Sequence, residues 1–170
     1  ALRFAGLQAY HGGAQHQRTL AERRVAIEGA TQAVVRSRDA LTAAGFSVPL
    51  VTGAGTGSFV LEAASGVWGE LQAGSYLFMD ADYAANQTDP EAPAFEHALF
   101  VKSQVMSRSE NHAVCDAGHK SHAIDSGLPA VAWPSGLVFA NGGDEHGILR
   151  AAVPGTELPE LGETVWLIPG

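Results

Sequence analysis

The sequence has 170 residues, of which 46% are hydrophobic and 16% charged, a composition typical of a globular protein rather than a disordered or fibrous one. Eighteen acidic residues against ten basic ones give a formal charge of −8 without any run of Lys or Arg, which argues against nucleic acid or anionic membrane as a partner. No stretch approaches the roughly 20 consecutive apolar residues of a membrane span, and the first residues lack the pattern of a signal peptide. We therefore expect a cytoplasmic protein.

The single cysteine, Cys115, excludes an internal disulfide and a zinc site built on cysteines. We interpret Cys115 as a small apolar strand residue. The chain begins with Ala1 inside an apparent strand and stops at Gly170, directly after another one. We interpret it as a segment of a longer chain.

The first elements along the chain are a strand and a long helix. Apolar residues over 4–10 predict a short buried strand. A helix over 19–44 is predicted because apolar residues then recur every seven positions, at Leu20, Ile27, Val34 and Leu41. Thr19 and Glu22 form a candidate capping box at its start, and Gly45 is placed to be the left-handed residue after its end.

Two further strands are predicted around a glycine-rich loop. Residues 48–52 form an apolar run that precedes the loop 53–58 and a short helical segment. Another strand is predicted over 68–72, followed by a turn at Gly74 and a continuation over 76–79. This order of strand, helix and strand is typical of parallel sheets and of (α/β) barrels.

The composition changes between residues 80 and 93, where Asp, Ala, Asn and Pro predict a connecting loop and a domain boundary. Beyond it, short β-like runs alternate with turn residues, which predicts a small all-β domain. The predicted strands are 98–106, 113–116, 137–140, 148–153 and 164–168. The clearest turn lies at 141–144.

The loop 53–58 is a candidate phosphate site because its glycines allow backbone N–H groups to approach an anion. It is not a P-loop, since no Lys follows, and Ser58 replaces the third glycine of a dinucleotide fingerprint. A phosphate-binding loop and a plain tight turn both remain open. Tyr10, at the end of the first strand, is either a core aromatic or a ring that faces a ligand.

Histidines and carboxylates suggest two further clusters, but neither matches a standard metal pattern. The first combines Asp116, His119 and His122, and the second is the run 144–146. A Ser–His–Asp triad is disfavoured because no Gly-x-Ser-x-Gly elbow is present.

Several segments together resemble a known family, the D-threonine aldolases. With them belong the D-3-hydroxyaspartate aldolases and the eukaryotic-type D-serine dehydratases, all alanine-racemase-like, fold-type III pyridoxal phosphate enzymes. The resembling segments are 4–12, 52–58, 70–76 with 78–80, 116–118 and 144–147, and they keep the order of the family over nearly the whole chain.

The resemblance implies a fold and a set of cofactor contacts. Residues 1–92 would be the last strands of an (α/β)8 TIM-type barrel, with the cofactor phosphate loops, and residues 93–170 part of a C-terminal β-domain. By the same resemblance, Gln8 and Tyr10 would lie beside the pyridoxal ring. The phosphate would be held by Gly55, Thr56, Gly74, Ser75 and Tyr76.

Two elements of the family pattern are not found in this sequence. The lysine that binds the cofactor covalently lies earlier in the family's barrel, and the lysines here, Lys102 and Lys120, both fall outside that motif. The family's divalent-metal motif would follow immediately after Gly170. No catalytic residue and no ligand of the expected Mg, Mn or Zn ion is therefore assigned to this segment.

The resemblance implies an aldolase that uses pyridoxal phosphate and a divalent metal to cleave D-3-hydroxy amino acids, such as D-threonine or D-3-hydroxyaspartate, to glycine and an aldehyde or glyoxylate. A dehydratase of D-serine or D-3-hydroxyaspartate is the first alternative, and a non-catalytic phosphate-binding or cofactor-binding module is the second. The expected partners are the substrate, the remainder of the chain and a second copy in a homodimer. The segment alone is expected to be inactive, and unstable because of its open sheet edges.

Overall fold

The computed structural model describes residues 2–90 and 92–170, which form two compact units. The first unit runs to Leu77 and resumes over Tyr83–Phe95. The second comprises Phe78–Asp82 and Glu96–Gly170. A domain division between residues 92 and 93 stays a prediction.

The first unit contains a parallel sheet of three short strands in the order β1-β2-β3. The strands are β1 (Leu7–Ala9), β2 (Val51–Gly53) and β3 (Glu70–Leu71). Gln8 lies opposite Thr52, and Thr52 lies opposite Glu70. Helices α1 (Leu20–Ala43) and α2 (Phe59–Ser65) follow the first two strands. The parallel arrangement predicted from the strand–helix–strand order is confirmed.

Helix α1 begins and ends where the sequence predicts. The Thr19 hydroxyl accepts from the N–H of Glu22, and the Glu22 carboxylate accepts from the N–H of Thr19, which completes the capping box. Gly45 follows the helix with φ of 87°, in the left-handed region. On its apolar stripe Ile27 and Val34 are buried, and Val34 belongs to a small core with Val51 of β2 and Trp68, which precedes β3.

Two predictions between residues 72 and 93 are wrong. Residues 76–79 do not form a strand, because Ser75–Leu77 is a 3-10 helix in which the N–H of Leu77 donates to the carbonyl of Gly74 at 3.2 Å. Tyr76, Leu77 and Phe78 are exposed, so the run does not reflect burial in a sheet. The predicted loop beyond it contains a short helix, α3 (Ala81–Ala84).

The second unit is a six-stranded antiparallel sheet in the order β6-β9-β4-β5-β8-β7. Its strands are β4 (Val101–Arg108), β5 (Ala113–Cys115), β6 (Ala130–Trp133), β7 (Leu137–Asn141), β8 (Gly147–Ala151) and β9 (Thr164–Ile168). The predicted β-rich character is confirmed, whereas β6 was not predicted. Its apolar run is only four residues long and stops at Pro134, too short for a clear β pattern.

The sheet of the second unit curves strongly toward closure. Its two outer strands, β6 and β7, are joined by residues 134–136 alone, and three residues span at most about 14 Å between the flanking Cα atoms. The concave side encloses the core. The core residues are Val105, Ala113, Cys115, Ala117, Phe139, Leu149, Val165 and Leu167. Cys115 is a strand residue, as predicted, and it is fully buried.

No helix among the described residues is long and apolar enough to cross a membrane.

Candidate functional site

The candidate site lies at one edge of the parallel sheet in the first unit. Strands β1, β2 and β3 run in the same direction, so the segments that follow them emerge at the same edge. These segments are the 3-10 helix Gly12–His16, the loop 54–57 before α2, and the 3-10 helix Ser75–Leu77. The edge therefore brings together the residues predicted from three separate parts of the sequence.

The loop after β2 has an unusual backbone conformation. Ala54 is fully buried with φ of 68°, a left-handed conformation that costs a residue with a side chain roughly 1–2 kcal/mol. The Gly55 carbonyl accepts from the N–H groups of Ser58 and Phe59, at 3.1 and 2.9 Å. This turn leads the chain directly into α2.

The glycines of the loop are required because Gln15 lies against them. A Cβ on Gly55 would lie 2.4 Å from Gln15 Oε1, and a Cβ on Gly57 would lie 2.6 Å from the Gln15 carbonyl oxygen. Both distances are far below van der Waals contact, so the loop keeps its close approach to Gln15 only with glycine at both positions. The interpretation of the glycines as a plain tight turn therefore explains only part of their role.

Gln15 is almost fully buried, and its amide joins the segment after β1 to the loop after β2. Its Oε1 accepts from the N–H of Gly57 at 2.9 Å. Its Nε2 donates to Ser58 Oγ at 2.6 Å and to the His11 carbonyl at 3.2 Å. Ser58 Oγ donates in turn to Glu62 Oε1 at 2.9 Å. A directed chain of hydrogen bonds thus runs behind the loop.

Glu62 ends this chain in a fully buried position on α2. Burial raises the pKa of its carboxyl, and the hydrogen bond from Ser58 and the charge of His11 offset this only in part. Its second oxygen, Oε2, is buried without a hydrogen-bond partner among the described residues. Both features make the charged form of Glu62 less favourable than it is in water.

Gln8 lies on β1, and Tyr10 follows directly after its end. The Tyr10 side chain is 46% exposed, and a Cβ on Gly55 would lie 2.7 Å from its hydroxyl oxygen. The ring is therefore not a core aromatic, and its hydroxyl borders the loop. Gln8 is exposed, donates to Gln72 Oε1 at 2.6 Å and accepts from the hydroxyl of Thr52.

Thr56 connects the loop after β2 with the segment after β3. Its hydroxyl accepts from the N–H of Tyr76 at 3.0 Å. The Tyr76 ring packs on Phe95 with 5.2 Å between ring centroids. Ser75 and Gly74 precede Tyr76 in the same 3-10 turn. The five residues expected to hold a phosphate thus belong to two adjoining segments.

Sequence reasoning missed Gln15, Ser58 and Glu62 as functional residues. A Gln two residues beyond a Gly pair, or a Glu four residues after a Ser, is common on protein surfaces, so neither has a local signature. Their importance depends on burial and on a hydrogen bond between residues 43 positions apart. The only available signal was the density of glycines in the loop, which requires a close neighbour.

The carboxylates and histidines of the second unit are not arranged as a metal site. Among the described residues, no group of three or more His, Cys, Asp or Glu side chains could hold a metal ion. Asp116 accepts from the Ser103 hydroxyl at 2.7 Å and the Gln104 N–H at 2.9 Å. Partial burial raises the pKa of Asp116, but these bonds outweigh it and hold that pKa below its usual value.

His119 and His122 have different surroundings. His119 Nε2 lies 3.0 Å from Asp144 Oδ1 on the surface. His122 is buried, with its ring against Phe139 at a centroid distance of 5.6 Å. The first histidine thus forms a surface pair and the second belongs to the core.

Neither lysine lies in a setting typical of covalent cofactor attachment. Lys102 extends over the ring of Trp166, 6.0 Å from its centroid. Lys120 pairs with Asp144 and Glu145 at 3.0 and 3.3 Å. Both lysines belong to the second unit, and neither lies on the segments that follow β1, β2 and β3.

The fold is shared with known proteins. A D-threo-3-hydroxyaspartate dehydratase matches 99% of this chain at a TM-score of 0.82 and 24% identity. An alanine-racemase-like protein from Idiomarina loihiensis matches 98% at a TM-score of 0.73 and 19% identity. These two structures therefore share the fold of this chain.

Other known proteins match the chain at higher sequence identity. The chain is 45% identical over 167 residues to a D-threonine aldolase of an Arthrobacter species and 41% identical over 154 residues to a 3-hydroxy-D-aspartate aldolase of Paracoccus denitrificans. The crystal structure of D-threonine aldolase from Filomicrobium marinum matches 99% of the chain and 45% of its own, at 48% identity and a TM-score of 0.91. Residues 98–170 match the family model of the putative serine dehydratase domain.

The chain is thus homologous, over nearly its whole length, to the family of D-threonine and 3-hydroxy-D-aspartate aldolases, and the resemblance drawn from its motifs is confirmed. It spans 44% and 40% of the two curated relatives.

Proposed function

We propose that this chain is part of an aldolase that uses pyridoxal 5′-phosphate and a divalent metal to cleave D-3-hydroxy amino acids. The observation that supports this most directly is the convergence of three loops at the carboxyl edge of β1, β2 and β3, combined with the 45% identity to a D-threonine aldolase. The first unit then corresponds to the last strands of an (α/β)8 barrel.

The donors at this edge suit a phosphate group. Residues 54–57 and 72–76 contain no carboxylate, and they offer three hydroxyls, of Thr56, Ser75 and Tyr76, beside the glycine backbone at 55 and 74. Neutral donors of this kind bind phosphate by hydrogen bonds, and the nearby start of α2 adds a favourable dipole. We assign the phosphate to Gly55, Thr56, Gly74, Ser75 and Tyr76.

The exposed side chains next to this cradle suit the pyridoxal ring. Tyr10 presents an aromatic face and a hydroxyl beside Gly55. Gln8 is held by Thr52 and Gln72, so its amide has a fixed orientation at the sheet edge. We propose that these two side chains orient the ring. When bound, the cofactor supplies an electron sink that stabilises negative charge at the substrate Cα.

In the reaction that we propose, the substrate Cα–Cβ bond breaks as the β-hydroxyl loses its proton. D-threonine then yields glycine and acetaldehyde, whereas D-3-hydroxyaspartate yields glycine and glyoxylate. The role that the family assigns to a metal is to lower the pKa of the β-hydroxyl. No metal ligand is assigned within the described residues.

A dehydratase is the second candidate, favoured by the name of the family model that matches residues 98–170. The test is to supply the whole protein with pyridoxal 5′-phosphate and Mn²⁺ and to incubate it with D-threonine. An aldolase releases glycine and acetaldehyde in equal amounts, and a dehydratase releases 2-oxobutanoate and ammonia. L-threonine is the stereochemical control.

Equal release of glycine and acetaldehyde from D-threonine, without release from L-threonine, supports the proposal. Release of the oxo acid instead would assign the protein to the dehydratases. If neither D-threonine nor D-3-hydroxyaspartate yields glycine or an oxo acid, both reactions are rejected. Chelation of the metal should abolish aldol cleavage and leave the cofactor absorbance in place.

A further inference from the structure

We infer that the buried chain Gln15–Ser58–Glu62 positions the loop that binds the cofactor phosphate, with Gln15 as its positioning residue. This inference rests on the proposed function, since it concerns the affinity of that same loop for phosphate. None of the three side chains needs to touch the cofactor. Their role is to fix the loop backbone before the ligand arrives.

The orientation of the Gln15 amide is determined by its partners. The N–H of Gly57 can only donate, and the His11 carbonyl can only accept. A reversed amide would place NH₂ against N–H and oxygen against oxygen. Only one orientation therefore satisfies both neighbours, and it holds the Gly57 N–H in a fixed direction.

The direction of the remaining hydrogen bonds follows from this orientation. Because Ser58 Oγ accepts from Gln15 Nε2, its own proton is available for Glu62 Oε1. Gln15, Ser58 and Glu62 are each at most 1% exposed, so water does not compete for these bonds. Apart from Glu62 Oε2, every polar atom of these three side chains has a hydrogen-bond partner, and buried bonds of this kind specify one geometry more strongly than exposed bonds do.

The Ser58 hydroxyl takes part in this chain of hydrogen bonds instead of capping α2. It occupies the N-cap position of α2, where a serine hydroxyl normally accepts from a backbone N–H, and here it makes no such cap bond. An N-cap bond stabilises a helix by roughly 1 kcal/mol. The hydroxyl is used instead to join Gln15 to Glu62.

The loop that this chain supports is strained and closely packed. Ala54 lies in the left-handed region, and both Gly55 and Gly57 pack directly on Gln15. A strained conformation persists only where its surroundings determine it. Without the Gln15 amide, we expect the loop to relax away from the geometry that phosphate requires.

The test compares two ligands on the whole protein freed of cofactor: pyridoxal 5′-phosphate and pyridoxal, which lacks the phosphate. Gln15→Met keeps most of the side-chain volume and removes the amide. We expect the variant to bind pyridoxal 5′-phosphate roughly tenfold more weakly, the loss typical of one buried polar interaction, and to bind pyridoxal as the unmodified protein does. Gln32→Met, at an exposed position of α1, is the matched control and should change neither dissociation constant.

Two further variants keep the inference testable if Gln15→Met does not fold. Ser58→Ala leaves the bond from Gln15 to Gly57 in place and should give a smaller loss in the same direction. Glu62→Gln retains an acceptor for the Ser58 hydroxyl and should keep nearly the full affinity for pyridoxal 5′-phosphate. Glu62→Leu removes that acceptor and should lower this affinity.

The outcomes separate this inference from the function on which it rests. If the unmodified protein prefers pyridoxal 5′-phosphate and Gln15→Met or Ser58→Ala narrows that preference, the positioning role is supported. If the preference is unchanged, or the affinities for the two ligands fall equally, the positioning role is overturned and the phosphate site stands. If the unmodified protein shows no preference, the phosphate site is overturned and the inference falls with it.

Discussion

The hydroxyl oxygen of Thr56 lies 3.0 Å from the backbone nitrogen of Tyr76, and this hydrogen bond joins the loop after β2 to the turn after β3. Both segments start at the same edge of the sheet and both contain residues assigned to the phosphate. Thr56 is therefore placed to order one segment and to present its hydroxyl at the boundary of the other.

The first prediction concerns this hydroxyl. Thr56→Val keeps the shape of the side chain but removes the acceptor of the Tyr76 N–H, and we expect the affinity for pyridoxal 5′-phosphate to fall roughly tenfold, the loss typical of one hydrogen bond to a charged group. Because Tyr76 is 38% exposed, water can replace the lost bond, and the change in stability should stay below about 1 kcal/mol. Thr56→Ser is the control that keeps the oxygen. An equal loss with both variants would contradict the prediction.

The second prediction uses a pair of glycines. Gly55→Ala would bring a methyl group to 2.4 Å from Gln15 Oε1 and 2.7 Å from the Tyr10 hydroxyl, so the loop or these two side chains must shift, and the buried Gln15 has little room to do so. Overpacking of this kind costs typically about 1–3 kcal/mol of unfolding free energy, and the shift should also weaken cofactor binding. Gly29→Ala, in α1 with no atom within 4 Å of the new Cβ, should instead stabilise by roughly 0.5–1 kcal/mol. Denaturant unfolding of both variants provides the comparison.

The features that could be predicted from the sequence are those encoded by neighbouring residues. The capping box of Thr19 and Glu22, the left-handed Gly45 and the seven-residue stripe of α1 all depend on residues within a few turns of one helix. The position of the phosphate residues was expected from family resemblance and from strand–loop order, and their assignment stays a proposal.

Other features depend on contacts between distant residues. The apolar run at 76–79 has the composition of a strand, but it forms a 3-10 turn and leaves Leu77 61% exposed. Strand β6 has only four residues and is stabilised by its pairing with β9. The role of Gln15 depends on partners that the chain brings near only when it folds. Local pattern and propensity contain no information about any of these contacts.

The third prediction tests the core of the second unit. Leu149 on β8 is fully buried among the apolar residues that the curved sheet encloses. Leu149→Ala should lower the unfolding free energy by about 2–5 kcal/mol, through lost burial and the cavity that remains. Val138 lies on the neighbouring strand β7 with 50% of its side chain exposed, and Val138→Ala should change stability by less than about 1 kcal/mol. Similar losses at the two positions would contradict the assigned core.

The fourth prediction concerns the pH dependence that Glu62 contributes. Its pKa in the folded protein lies above the ordinary value of 4.5, chiefly because of burial. Between these two values the folded state binds the proton more tightly than the unfolded state does, so stability falls as the pH rises through this window and levels off above the folded pKa. Asp116 acts in the opposite direction, because its pKa is lowered from 3.8, and it therefore contributes below the window of Glu62.

Glu62→Gln removes this titration while it keeps an acceptor for Ser58. We expect the variant and the unmodified protein to respond differently to pH: relative to its own value at pH 4.5, the unmodified protein should lose stability toward neutral pH, and the variant should lose less. Chemical denaturation at a series of pH values measures this difference. Glu28→Gln, at an exposed position of α1, is the matched control and should retain the slope of the unmodified protein. If Glu62→Gln changes the dependence of the unfolding free energy on pH no more than Glu28→Gln does, Glu62 does not titrate in this window. The hydrogen bond from Ser58 would then end on a carboxylate.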